Sequence, residues 1–213
     1  MHDNGFIDRA DAGQQLAERL QAYRGTDALV LAIPRGGVAV GHALARALRL
    51  PLDIVLAKKI GHPDNPEFAI GAVSPTTHHV DPRFGLPEEV VQAEVARLRA
   101  QMRDRERHYR GDRPAPVITG RTVIVVDDGV ATGHTLLATL SLLRSERPAR
   151  LIAAMPVVPP DFVPHARTAT DDFIHLLAPE GFRAVGQYYA DFSAVEDDEV
   201  VHLLQDAWRN ERT

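Results

Sequence analysis

The sequence predicts an α/β protein built on a doubly wound parallel sheet, and three observations carry that expectation. Short apolar runs of strand length alternate with longer stretches whose apolar residues recur at helical spacing. Two of those runs end in glycine-containing turns, PRGG at 34–37 and DDGVATGHT at 127–135, and each turn leads into a helix. No apolar run approaches the roughly 18 residues that a membrane helix requires.

Taken in order, Leu16, Leu20 and Tyr23 suggest a short amphipathic helix, and the compact run Ala28 to Ile33 reads as a buried strand. After PRGG, Val38 to Leu48 is helical with Val40, Leu44 and Leu48 on one face, and Leu52 to Ala57 is a second strand ending in Lys58 and Lys59. This is a βαβ unit. From Gly61 to Asp81 the composition turns to Gly, Pro, Asn, Thr and His, and only AIGAV (69–73) reads as strand, so the stretch from about 60 to 81 is expected to be a long flexible loop containing a small hairpin. Pro87 to about Tyr109 should be the longest helix: Val91, Val95, Leu98 and Met102 keep helical spacing, Pro87 suits a first turn, and Glu88 and Glu89 favour the positive end of the helix dipole. Thr122 to Val126 is a β-branched strand, Thr135 to Arg144 a helix, and Leu151 to Met155 a further strand. Beyond Phe173 come one more short strand, the aromatic-rich segment FRAVGQYYADF (182–192) and a terminal helix through Trp208. The expected organisation is a single domain over 1–213, with a core at about 10–155 and a small C-terminal hood at about 156–213.

Composition narrows the function classes. A length of 213 residues lies between one and two domains of about 150. With 24 basic against 29 acidic residues the net charge is −5, which argues against a nucleic-acid partner. The absence of cysteine removes disulfides, thiolate metal sites and cysteine nucleophiles, and suits a reducing compartment. The N-terminal MHDNGFIDRADAG has acids where a signal peptide carries basic and apolar segments, so the expectation is a cytoplasmic protein without a membrane partner.

The chemistry concentrates in two turns. In TVIVVDDGVATGHT (122–135) a buried strand ends in two carboxylates, and a Gly/Thr turn then opens a helix. Helix N-termini offer unpaired amide donors and about half a positive charge, so Ala131 to Thr135 forms an anion cradle with the Thr132 and Thr135 hydroxyls as added donors. Asp127 and Asp128 repel a phosphate and need hydroxyl donors or a metal-bound assembly as partners; a sugar phosphate meets both demands. The plainer alternative is that DDG only supplies turn-forming residues at a strand end. The second turn, Pro34-Arg35-Gly36-Gly37, allows close backbone approach and brings the Arg35 charge, although the same four residues also make an ordinary turn. Parallel topology places both turns along one sheet edge. Neither GxxxxGK[ST] nor GxGxxG occurs, which excludes Walker-type chemistry, and HExxH and GxSxG are absent as well.

These residues resemble the type I phosphoribosyltransferases, enzymes that use 5-phosphoribosyl 1-diphosphate (PRPP). VIVVDDGVATGHT is similar to their PRPP-binding signature and IPRGG to their diphosphate loop, and the likeness in element order extends over roughly residues 10–155. AKKIGHPDNPEFAIGAV and FRAVGQYYADF further resemble a bacterial subgroup known only as predicted phosphoribosyltransferases. The resemblance implies that Asp127 and Asp128 hold the ribose 2- and 3-hydroxyls, that Gly129, Val130, Ala131, Thr132, Gly133, His134 and Thr135 surround the 5-phosphate, and that Arg35, Gly36 and Gly37 hold the diphosphate, with a cis peptide between Pro34 and Arg35. It implies Mg²⁺ bound with PRPP, touching Asp127 or Asp128 indirectly, and a small-molecule acceptor whose nitrogen attacks ribose C1, a reaction of nucleotide metabolism. Lys58 and Lys59 read either as diphosphate contacts or as a solvated strand end, and Glu67 as an acid/base or metal-side residue.

One departure bears on the acceptor. The 6-oxopurine enzymes of the family carry an aspartate where this sequence has Ala131, whereas the ATG at 131–133 resembles the adenine and orotate types. Tyr188, Tyr189 and Phe192 read either as core or as a stacking surface for a base. The arginine-rich span from Arg97 to Arg113 reads as the solvated face and end of the long helix, with an oligomer contact, such as a homodimer's, or a nucleic-acid patch as the alternative. A PRPP- or nucleotide-binding regulator that lacks transfer chemistry is the rival to the enzyme.

Overall fold

In the computed structural model, residues 5–210 are described, apart from the side chains of Pro66, Glu67 and Asn210. The chain runs α1 (Arg9–Arg19), β1 (Leu29–Ala32), α2 (Gly36–Leu48), β2 (Leu52–Ile54), β3 (Lys58–His62), β4 (Asn65–Val73), β5 (His78–Val80), α3 (Glu88–Arg110), β6 (Thr122–Val126), α4 (His134–Ser145), β7 (Arg150–Val157), α5 (Val163–Ala169), β8 (Asp172–Leu177) and α6 (Asp197–Asn210). Five strands form one sheet in the order β2-β1-β6-β7-β8, every pair parallel.

The doubly wound expectation holds, and the alternation of strand side chains explains it. Val30, Ala32, Ile124, Val126, Ile152 and Ala154 face a core shared with α1, α2 and α6, whereas Leu29, Leu31, Val123, Val125, Leu151 and Ala153 face one shared with α4 and α5. With both faces covered, the strands read as unbroken apolar runs. Val40, Leu44 and Leu48 are buried along α2, as their spacing predicts. Among the described residues no helix is long and apolar enough to cross a membrane.

Two stretches differ from the sequence expectation. The second strand ends at Ile54; Val55 still donates to the Ala32 carbonyl, and the chain then leaves the parallel sheet so that Lys58 opens β3 in a different one. The stretch expected as a loop with a small hairpin is instead a three-stranded antiparallel sheet, β3-β4-β5, with irregular register between Ile60 and His62. Ile60, Ile70 and Val73 bury against Val91, Val95, Leu98 and Met102 of α3. Its polar composition hid these strands because few apolar side chains suffice to cover so small a sheet: Ile60, Ile70 and Val73 meet α3, and Ala72 meets Ala138 and Leu142 of α4. The helix α5, between β7 and β8, is a further element that the sequence reading did not include.

Candidate active site

Adjacent pairing of β1 and β6 determines the site. Ala32 lies opposite Val126, and Ile33 donates to the Val126 carbonyl at 2.9 Å, so the two strands finish level and their following turns leave the same edge side by side. After Ile33 the Pro34–Arg35 peptide is cis, as the resemblance implies, and α2 starts at once from Arg35 as its N-cap. Its first turn sits directly on the two acids. A Cβ added to Gly37 would lie 2.9 Å from the Asp127 Cα, and one added to Gly36 would lie 1.9 Å from Asp128 Oδ2, so only hydrogen fits at either position.

On the other side of the edge, Asp127 directly follows the strand and its Oδ1 accepts the Asp128 amide at 2.8 Å. Val130 turns back into the core and donates its amide to the Val157 carbonyl at 2.9 Å, which anchors the middle of the loop. Gly133, the N-cap of α4, has φ +77° and lies against Phe162, so the turn into the helix is tight and needs glycine. Asp127, Gly129 to Gly133, Thr135 and Leu136 line a hollow of about 190 Å³ over the helix start. Thr132 and Thr135 of this lining are exposed, and so is His134, which does not itself line the hollow. First-turn amides without intrahelical partners and the positive end of α4 make this hollow receptive to an anion the size of a phosphate.

The acids are electrostatically costly where they stand. Burial, reinforced by the neighbouring Asp128 charge, pushes the Asp127 carboxyl well above the usual carboxylate range. Burial also raises Asp128, and the Arg9 guanidinium opposes that rise. Arg9, at the start of α1, donates Nε to Asp128 Oδ2 at 2.8 Å and Nη1 to the Ser193 carbonyl at 2.8 Å, and its guanidinium carbon lies 3.9 Å from the centre of the Phe192 ring. Tyr189 Oη donates to the Asp128 carbonyl at 2.6 Å. Sequence reasoning missed Arg9, which lies 119 positions from its partner; its sole local cue is its place beside the N-capping residue Asp8.

The remaining candidates separate. Arg35 Nη1 is 3.2 Å from Glu196 Oε2 and 4.0 Å from Asp197 Oδ1, so acids at the start of α6 hold it beside the turn. Lys58 Nζ donates to Gln101 at 2.7 Å and lines a cleft of about 670 Å³ that also includes Pro34, Arg105 and Thr135. Lys59 lines a different groove, together with Glu94, Arg97 and Leu98 of α3. The strand-end reading placed both lysines together; the turn into β3 divides them. Glu67 lies on β4, and its side chain is outside the described residues. In the aromatic segment, Tyr189 is buried and tilted against Phe6, Tyr188 stacks on Phe182, and Phe192 covers Arg9, so these rings pack against the protein itself.

No group of three or more His, Asp or Glu side chains among the described residues converges in a way that could hold a metal ion. Asp127 and Asp128 supply two carboxylates, of which Asp128 already meets Arg9. That set fits a divalent cation which brings most of its oxygen ligands with it and meets the protein through water, the habit of Mg²⁺ with phosphates.

Comparison with known proteins adds three findings. Residues 7–174 match the family model for the phosphoribosyl transferase domain. The chain is 36% identical, over 96% of its length, to a Mycobacterium tuberculosis H37Rv protein provisionally named phosphoribosyl transferase Rv0571c, and it spans about half (47%) of that relative. The crystal structure of TT1426 from Thermus thermophilus superposes with a TM-score of 0.88 at 40% identity, covering 95% of this chain and 98% of that one.

Proposed function

Since the chain belongs to the phosphoribosyl transferase domain family, we propose that it transfers the 5-phosphoribosyl group of PRPP to a nitrogen nucleophile, a nucleobase, and releases diphosphate. The bond between ribose C1 and the diphosphate oxygen breaks, and its electron pair leaves with diphosphate. The nucleophile's nitrogen forms a bond to C1 from the opposite face, with inversion, and loses a proton.

The observation that carries this reading is the level ending of β1 and β6, which seats a phosphate-sized hollow and a glycine turn on either side of one acid pair. In that arrangement the 5-phosphate occupies the hollow at 129–135, with the α4 amides and the Thr132, His134 and Thr135 side chains as donors. Asp127 and Asp128 accept the ribose 2- and 3-hydroxyls. The diphosphate lies at Arg35, Gly36 and Gly37, with Lys58 facing the adjoining cleft. Arg35 is held by Glu196, whose side chain is 72% exposed, so an incoming diphosphate exchanges one weak ion pair for a stronger charge-assisted contact.

Mg²⁺ bound with PRPP would be held through water by Asp127 and Asp128. It would supply positive charge against the developing charge of the leaving diphosphate. Ala131 places a methyl group, and no carboxylate, on the exposed part of the loop, which favours acceptors that need no base there, the adenine or orotate types over hypoxanthine and guanine.

The test incubates the protein with Mg²⁺ and PRPP against a panel of nucleobases and follows diphosphate release. Release that depends on one base establishes the transferase and names its acceptor. Tight PRPP binding without release on any base overturns transfer in favour of a regulator, and absence of PRPP binding overturns both.

A further inference from the structure

Both ends of the described chain meet at Asp128. Phe6 donates its amide to the Tyr188 carbonyl at 2.7 Å, Ala190 to Phe6 at 2.8 Å and Asp191 to Ile7 at 2.9 Å, so the residues before α1 and those before α6 are laced together by their backbones. The Phe6 and Tyr189 rings, 5.1 Å apart, lie inside this lacing, and Tyr189 and Phe192 follow at 5.0 Å. From one end Arg9 reaches the Asp128 carboxylate, and from the other Tyr189 reaches the Asp128 carbonyl. Arg9 also joins the two ends itself, through the Ser193 carbonyl and the Phe192 ring.

Resting on the PRPP reading above, we propose that Arg9 is a positioning residue: a strut from the laced chain ends that fixes the rotamer of Asp128, so that its carboxylate faces the sugar hydroxyls only while the 188–193 segment is docked.

Three features of the geometry support a strut over an incidental ion pair. The pair is nearly dry, with side-chain exposures of 11% for Arg9 and 17% for Asp128, whereas the Arg35–Glu196 pair stands at 41% and 72%. The guanidinium is fixed on three sides, by a carboxylate, a carbonyl and an aromatic face, so it has little freedom to follow Asp128 if that side chain turns. The third feature is that the start of α2 lies close beside the same carboxylate, so close that a Cβ added to Gly36 would overlap Asp128 Oδ2. Arg9 acts through Asp128, whose carboxylate its Nε meets.

A double-mutant cycle on PRPP affinity, read by calorimetry with Mg²⁺ present, separates this role from a structural one. Asp128→Asn, Arg9→Gln and the double variant are compared with the wild type. A strut predicts that Arg9→Gln weakens PRPP about tenfold or more in the wild-type background, the size of one lost charge-assisted hydrogen bond, and changes affinity less than about twofold once Asp128 is Asn. Arg9→Lys keeps the charge and cannot reach Asp128 and Ser193 together, so its loss should fall between the two, and it remains informative where Arg9→Gln fails to fold. Equal loss from Arg9→Gln in both backgrounds, or wild-type affinity in Arg9→Gln, overturns the strut while the PRPP reading stands. A wild-type protein that does not bind PRPP overturns both.

Discussion

Replacing Gly36 with alanine tests whether α2 and the acid pair are fitted to each other as tightly as the geometry states. The new Cβ would stand 1.9 Å from Asp128 Oδ2, 2.6 Å from its Cγ and 2.9 Å from Arg9 Nε, against an ordinary contact of 3.4 Å, so something must move by about 1.5 Å. The flexible partner is the Asp128 side chain, but Arg9 holds it at 2.8 Å and the Asp128 main chain is held by Tyr189. Overpacking of this kind costs about 1 to 3 kcal/mol, which for a chain of this length corresponds to a fall in melting temperature of about 2 to 12 °C. The larger consequence is for binding. An Asp128 carboxylate turned away from the site loses a charge-assisted hydrogen bond to the sugar, worth about 1.5 to 3 kcal/mol, so PRPP affinity should fall about 10- to 100-fold. Calorimetric titration with PRPP and a thermal melt check both numbers. Gly181→Ala is the control, since a Cβ there meets nothing within 4 Å and should leave both unchanged. A Gly36→Ala protein that melts and binds like the wild type would refute the fitted arrangement of turn and acids.

Three further outcomes follow from the same structure. Asp127→Asn should raise the melting temperature at neutral pH while abolishing PRPP binding. Its folded-state carboxyl is raised by burial and by Asp128, so the folded state keeps a proton that the unfolded state releases, and stability falls as pH rises through the folded value; the gap between variant and wild type should therefore widen from pH 4 to pH 7, and melts across that range check the sign. Arg110→Ala should cost about 3 to 5 kcal/mol in denaturant unfolding, because it strands Asp53, 3% exposed and 3.1 Å from Arg110 Nε, as an unpaired buried carboxylate, and also removes the bonds to Glu106 and the Ile54 carbonyl. Lys58→Ala should raise the KM for PRPP several-fold while Lys59→Ala leaves it near the wild-type value, as steady-state kinetics would report, because the two side chains line different clefts.

The sequence made the centre of the parallel sheet legible because β1, β6 and β7 are covered on both faces and read as apolar runs, from Ala28–Ile33 to Leu151–Met155, whereas the edge strands carry Asp53 in β2 and Asp172 and His175 in β8. The antiparallel sheet was illegible for the converse reason. In β3, Lys58-Lys59-Ile60-Gly61-His62 buries one residue of five, and no window of such a strand differs in composition from a loop. The candidate anion sites were legible because a helix N-terminus acts through backbone amides, and the backbone conformation of a turn is written in its own few residues: Gly36 and Gly37 for close approach, Gly133 for the positive φ. Side-chain partners carry no such local signature. Arg9 with Asp128, Arg35 with Glu196 and Lys58 with Gln101 are set by where whole elements dock.

The same distinction bears on what can vary within the site. An anion cradle made of amides persists as long as the strand, turn and helix fold, so it needs little support from the rest of the chain. A pair of buried carboxylates does need support, since each charge raises the cost of its neighbour and burial raises the cost of both. Here that support comes from residues outside the parallel core: Arg9 before the first strand, and Tyr189 and Phe192 after the last. Perturbing the lacing between these ends, for example with Tyr189→Phe, which removes the 2.6 Å bond to the Asp128 carbonyl and leaves the ring contacts with Phe6 in place, should therefore weaken PRPP while inorganic phosphate in the α4 hollow binds as before. Competition of phosphate against PRPP in that variant measures the two separately. Parallel losses for both ligands would mean that the hollow and the acids respond as one unit, and that the chain ends support the whole edge of the sheet and not the acid pair alone.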